Sequence, residues 1–186
     1  MTAIWPILRA PSINGCAFNI AVIDSVCYES ALLIGSAEKK LSKATVDAVR
    51  RATKEAPIRG TSYTAGYKRL MGITDDSPQK ALDMSQVTES GIVNFKYGHE
   101  GGNYFHTAYI HKTDTGELVF YHSNSFTLDV ALAEKNTLPT VVGRSTVYPL
   151  DSGRLEKLQQ WLVENKHEVV FTKSSVLEAN ARAPVA

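Results

Sequence analysis

The chain has 186 residues, 44% of them hydrophobic and 21% charged, enough apolar material for one core with a radius of gyration of roughly 16 Å. That composition excludes a disordered, collagenous or low-complexity chain. Twenty Lys and Arg against nineteen Asp and Glu leave a net charge of +1, without the basic excess a nucleic-acid partner would demand. No apolar run is long enough to span a bilayer, and Met1 to Pro6 lacks the features of a signal peptide. The expectation is therefore one domain over 1–186 with no membrane span, acting in the cytoplasm or reaching a host cell by a signal-independent route.

In chain order, Pro11 to Gly15 supplies turn and cap residues ahead of the apolar stretch Cys16 to Ile34, which predicts a buried helix starting near Cys16 and ending at Gly35-Ser36. Glu38 to Glu55 mixes Leu41, Val46 and Val49 with charges and predicts an amphipathic surface helix closed by Ala56-Pro57. Glycines and Pro78 break Ile58 to Gly91 into short helical pieces, Tyr63 to Met71 and Pro78 to Met84. From Gly91 the period changes to that of strands: 92–97, 104–112, 117–123, 140–142, 145–148 and 168–172, with a helix over 154–165 capped by Asp151. Helices first and an antiparallel sheet afterwards define an α+β fold. The tail 178–186 is expected to fray.

The hairpin geometry can be computed from its turn. If Asp114-Thr115-Gly116 is a three-residue loop with Gly116 left-handed, paired residue numbers sum to 230. His106 then faces Asn124, and His122 faces Ala108, diagonal to His106 on the same side. Opposed Cβ atoms stand about 4.5 to 5.5 Å apart, close enough for an amide to orient an imidazole. A histidine so oriented suits a general base serving a thiol. Cys16, at the expected helix start, has N–H groups and a helix dipole to lower its pKa and to hold an oxyanion. Cys27, three turns further on, is expected to be a buried, inert thiol. A metal among His99, His106, His111 and His122 is disfavoured, because His106 and His111 point to opposite strand faces.

Gly15-Cys16-Ala17-Phe18 opening a helix, His106 opening a strand, and Tyr121-His122-Ser123-Asn124-Ser125-Phe126 closing the next one, in that order and with 124 − 106 = 18, resemble the papain-like cysteine peptidases. The resemblance covers about forty residues. It implies a nucleophile helix packed on a C-terminal antiparallel sheet, with Cys16 as nucleophile, His106 as general base and acid, and Asn124 as the orienting group. His122, Ser123 and Asp129 are the alternatives for that third place. The family's oxyanion-hole glutamine is missing here, and Asn14 stands nearest to its position. In size the chain is similar to compact bacterial and viral members that act on host proteins, deubiquitinases and glutamine deamidases among them. The implied function is a monomeric thiol protease cleaving a peptide or isopeptide bond of a protein substrate, ubiquitin or another host protein, without a cofactor. A deamidase or transglutaminase using the same triad is the first alternative, and a non-enzymatic α+β binding domain the second.

Overall fold

The computed structural model describes residues 27–54, 64–99, 101–123, 125–134, 140–142 and 145–183. Three helices come first, α1 (Cys27–Ala37), α2 (Lys43–Lys54) and α3 (Ala65–Met71). Strands β1 (Gly91–Tyr97), β2 (Tyr104–Lys112) and β3 (Leu118–His122) follow, then α4 (Phe126–Leu132), β4 (Thr140–Val142), β5 (Ser145–Pro149), α5 (Ser152–Glu164), β6 (His167–Lys173) and α6 (Ser174–Arg182). The six strands form one antiparallel sheet in the order β4-β5-β3-β2-β1-β6. The α+β class and the antiparallel sheet agree with the sequence pattern. Among the described residues no helix is long and apolar enough to cross a membrane.

Strand alternation divides the core in two. Ile92, Tyr109, Val119, Tyr121 and Val170 pack with Leu32, Val49, Leu70 and Leu177 on the side of α1, α2, α3 and α6. Val93, Phe95, Ala108, Ile110 and Phe120 pack with Leu128, Leu132, Leu158 and Leu162 on the side of α4 and α5. The central strands are therefore covered on both faces, which is why they read as nearly continuous apolar runs.

Several boundaries differ from expectation for identifiable reasons. Helix α1 runs through Gly35 to Ala37, and α2 begins only at Lys43, because Ser42 Oγ accepts the Thr45 N–H at 3.2 Å. Residues 78–83 are not helical, and Met84 only opens a single 3-10 turn, Met84–Gln86. The backbone of Gln79 exchanges two hydrogen bonds with Val169, at 2.9 and 2.8 Å, and Gln159 clamps the backbone of Leu82 from α5. The tail is not frayed over 178–182 but belongs to α6. Leu177 is fully buried, Glu178 accepts the Ser42 N–H at 2.6 Å, and Asn180 Nδ2 donates to the Leu70 carbonyl at 3.0 Å. Asp151 caps α5 as expected, accepting from the Arg154 N–H at 2.9 Å.

Candidate functional site

The site lies where β2 starts and β3 ends, and its geometry begins in the hairpin between them. Gly116 has a left-handed φ of +87°, and the Thr113 N–H donates to the Glu117 carbonyl at 2.9 Å. Ala108 consequently faces His122, and Lys112 faces Leu118, the register that the three-residue loop predicts. That register carried on would set Asn124 opposite His106. Asn124 lies outside the described residues, as do Cys16 and Asn14, so of the expected triad the described part contains His106.

His106 is 2% exposed. A bulge in the pairing, with Phe95 opposite His106 and Lys96 opposite Tyr104, turns Tyr104 toward α1 while Phe105 and His106 both face α5. The imidazole rests on Phe95, 5.5 Å between ring centroids, and its Nε2 has no hydrogen-bond partner among the described residues. Burial pushes its pKa down to about 3, with the neighbouring His122 adding to the effect. His122 is held below the ordinary histidine range by burial, against the pull of Asp129. Beside them Ser123 is fully buried, its Oγ also without a partner among the described residues. A half-exposed shelf of Tyr97, Phe105 and His167 adjoins this end of the sheet, with ring centroids 4.4 Å apart for Tyr97 and Phe105 and 4.6 Å for Phe105 and His167.

Two buried imidazoles, and a third half-buried one, all lowered by burial, make stability depend on pH in a definite direction. An unfolded histidine takes its proton near 6.5, whereas His106 in the fold resists it down to about 3. The unfolded chain therefore binds more protons through that interval, and stability, complete above 6.5, is lost as pH falls toward 3. His122 and His167, also lowered by burial, add to the loss. Urea midpoints should drop between pH 7.5 and pH 5, and His106→Leu should drop less. A midpoint identical at the two pH values would contradict a neutral buried imidazole.

On the other side of the sheet, the side of α1, lies the thiol of Cys27. Cys27 belongs to α1, with its thiol largely withdrawn from solvent. Burial raises its pKa, while the N–H groups of Thr107, Tyr28 and Cys27 itself, with the Thr107 hydroxyl beside them, work against that rise without overcoming it. Thr107 is tied in turn to β1, its hydroxyl donating to Asn94 Oδ1 at 3.1 Å, and the Tyr67 hydroxyl from α3 donates to the same oxygen at 2.7 Å. The thiol thus meets β2 at the amide nitrogen that is covalently joined to His106.

The remaining histidines do not join them. His111 faces away from His106, with its Nδ1 3.3 Å from Glu38, and His99 stacks on Tyr97 at the surface. No group of three or more His, Cys, Asp or Glu side chains able to hold a metal ion occurs among the described residues. Sequence reasoning missed the pairing of His122 with Asp129, which was hidden by an unpredicted α4.

Residues 17–181 match the model of a family described as a domain of unknown function (DUF8038). No curated protein and no solved structure matches the chain.

Proposed function

Because the chain belongs to the DUF8038 family, whose function is unassigned, we propose its activity from its own residues: a cysteine hydrolase of papain-like design that cleaves an amide or isopeptide bond of a protein substrate. One observation carries this reading. The sulfur of Cys27, on α1, receives the N–H of Thr107, the residue joined by its peptide bond to His106. The imidazole of His106 faces the other side of the sheet, toward α5, so the chemistry requires the start of β2 to turn it toward α1 when substrate binds, and the nucleophile's role passes from Cys16 to Cys27.

Apart, the two groups are neutral, the thiol raised and the imidazole lowered by burial. Together, the thiolate and the imidazolium stabilise each other's charge. The thiolate attacks the amide carbonyl carbon, and the N–H groups beside the sulfur, those of Thr107 and Tyr28, hold the oxyanion. His106 passes its proton to the leaving nitrogen, then takes one from water, whose oxygen attacks the thioester and frees the sulfur. Deamidation of a glutamine side chain would follow the same steps with ammonia leaving.

A second reading, a binding domain without chemistry, is favoured by the seat of His106 on Phe95, on the sheet face away from α1. Intact-mass analysis separates the two. The native protein is incubated with iodoacetamide and with ubiquitin bearing a carbonyl-type electrophile at its C-terminus, and adducts are mapped by peptide digestion. The hydrolase reading expects one adduct, on Cys27, formed at least tenfold faster with the protein electrophile than with an electrophile of equal reactivity on a short unrelated peptide. Labelling of Cys27 at the rate of a denatured thiol by every reagent, or no labelling at all, supports the binding domain instead.

A further inference from the structure

A second polar chain begins at the imidazole of His106 and runs away from the thiol. His122 meets His106 edge-on, with 5.6 Å between ring centroids and 81° between planes. His122 Nε2 lies 3.1 Å from Asp129 Oδ1 on α4, within ion-pair reach though not in line for a hydrogen bond. The same carboxylate oxygen accepts the Tyr148 hydroxyl from β5 at 2.8 Å. Tyr148 stacks flat on His122, 5.9 Å away and inclined by 13°, and Phe120 closes the remaining side at 5.5 Å. Beyond Tyr148, the Arg154 guanidinium lies 6.0 Å over its ring. His122 is 1% exposed, whereas the Asp129 side chain is 32% exposed. An imidazole confined between a phenol, a phenyl ring and a carboxylate has little freedom to turn, and the His106 ring packs against it nearly at a right angle.

We propose that His122, fixed by Asp129, is the positioning residue for His106, in the place that the sequence pattern offered to Asn124. The inference rests on His106 being the base of the proposed hydrolase. Its physical content is separate: a defined ring orientation of His106 that depends on His122 and, through it, on Asp129. Asp129 does not touch the thiol or the base. It acts by supplying a negative charge to a buried imidazole and by holding it with Tyr148.

A histidine kept only for packing would be replaced without loss by another ring, and this separates the two roles. His122→Phe keeps the contacts with Tyr148 and Phe120 but removes the pairing with Asp129; His122→Gln keeps a polar group there, and Asp129→Asn keeps the shape and removes the charge. Histidine-ring NMR on the full chain reads the orientation directly. In Asp129→Asn the titration midpoint of His122 is expected to fall by about one pH unit or more, and the His106 ring signals are expected to move. In His122→Phe the His106 signals should move further, and Cys27 should react about tenfold more slowly with the ubiquitin electrophile at an unchanged apparent affinity. His122→Gln should recover part of that rate. His106 signals that coincide with those of the native protein in both His122→Phe and Asp129→Asn would overturn the proposal, as would movement on Asn124→Ala alone. Should His122→Phe not fold, Asp129→Asn, at a partly exposed side chain, decides the matter by itself. If Cys27 reacts with no electrophile while the His106 signals still follow Asp129, the hydrolase reading fails and the positioning of His106 by His122 stands.

Discussion

Cys27→Ala is expected to lower reaction with the protein electrophile, and turnover of any cleaved substrate, by about a thousandfold or more, and His106→Ala by a similar factor, because nucleophile and base act as one unit. Cys16→Ala should stay within about twofold of the native chain. Asn124→Ala should keep a measurable residue of activity, since the confined His122 already faces His106 from β3. The pH behaviour of the thiol gives an independent check. Burial sets Cys27 above the ordinary thiol range, so its alkylation by a small neutral reagent should be slow at pH 7 and still rising beyond pH 9, with the rate following the thiolate fraction. The protein electrophile should flatten that profile, because a bound substrate that brings His106 to the sulfur replaces hydroxide as the proton acceptor. The opposite pattern, Cys16→Ala inactive and Cys27→Ala unaffected with both variants folded, would return the nucleophile's role to Cys16.

The parts of this fold legible in the sequence are those written in a short-range code. Alternation placed β2 at Tyr104–Lys112 and β4 at Thr140–Val142, and a glycine at the third position of the 114–116 loop set the register that puts His122 diagonal to His106. Asp151 announced α5 because an N-cap is a local signal. What stayed hidden depends on distant partners. Residues 78–84 have helix-forming composition, yet Gln79 completes the edge of β6 and Gln159 clamps Leu82, contacts that no local window contains. Helix α6 follows a strand directly and is held by partners distant in sequence: Leu177 in the core, Glu178 accepting from Ser42, Asn180 donating to Leu70, and the Ser175 N–H donating to Glu89. The contact of Cys27 with Thr107 likewise joins α1 to β2 across the middle of the chain, beyond any local window. The site was therefore half legible: the histidine could be placed by register, whereas the thiol and the Asp129 pairing needed the tertiary packing of α1 and α4.

Two neighbouring glycines ahead of β2 are expected to respond very differently to alanine, and the difference reaches the site. At Gly102 a Cβ would lie 2.0 Å from the Tyr97 carbonyl oxygen and 2.9 Å from that of His99. Both are backbone atoms, and the Gly102 N–H is already bonded to the His99 carbonyl at 2.8 Å, so the loop has no side chain to move aside. Gly102→Ala should therefore push the end of β1 away from the start of β2, at a cost of about 2–3 kcal/mol, or roughly 5–10 °C in Tm for a chain of this size. Gly101 has a left-handed φ of +69° but open space where its Cβ would go, so Gly101→Ala should cost only the conformational penalty of about 1 kcal/mol. The displacement caused by Gly102→Ala falls next to the bulge that turns Phe105 and His106 to the same side. Below its melting temperature that variant should lose Cys27 reactivity toward the protein electrophile by about tenfold, a loss that Gly101→Ala should not show. Equal melting temperatures for the two variants would mean that the close approach of Gly102 to Tyr97 is relieved elsewhere. Equal reactivities despite unequal stabilities would mean that the start of β2 does not set the position of His106.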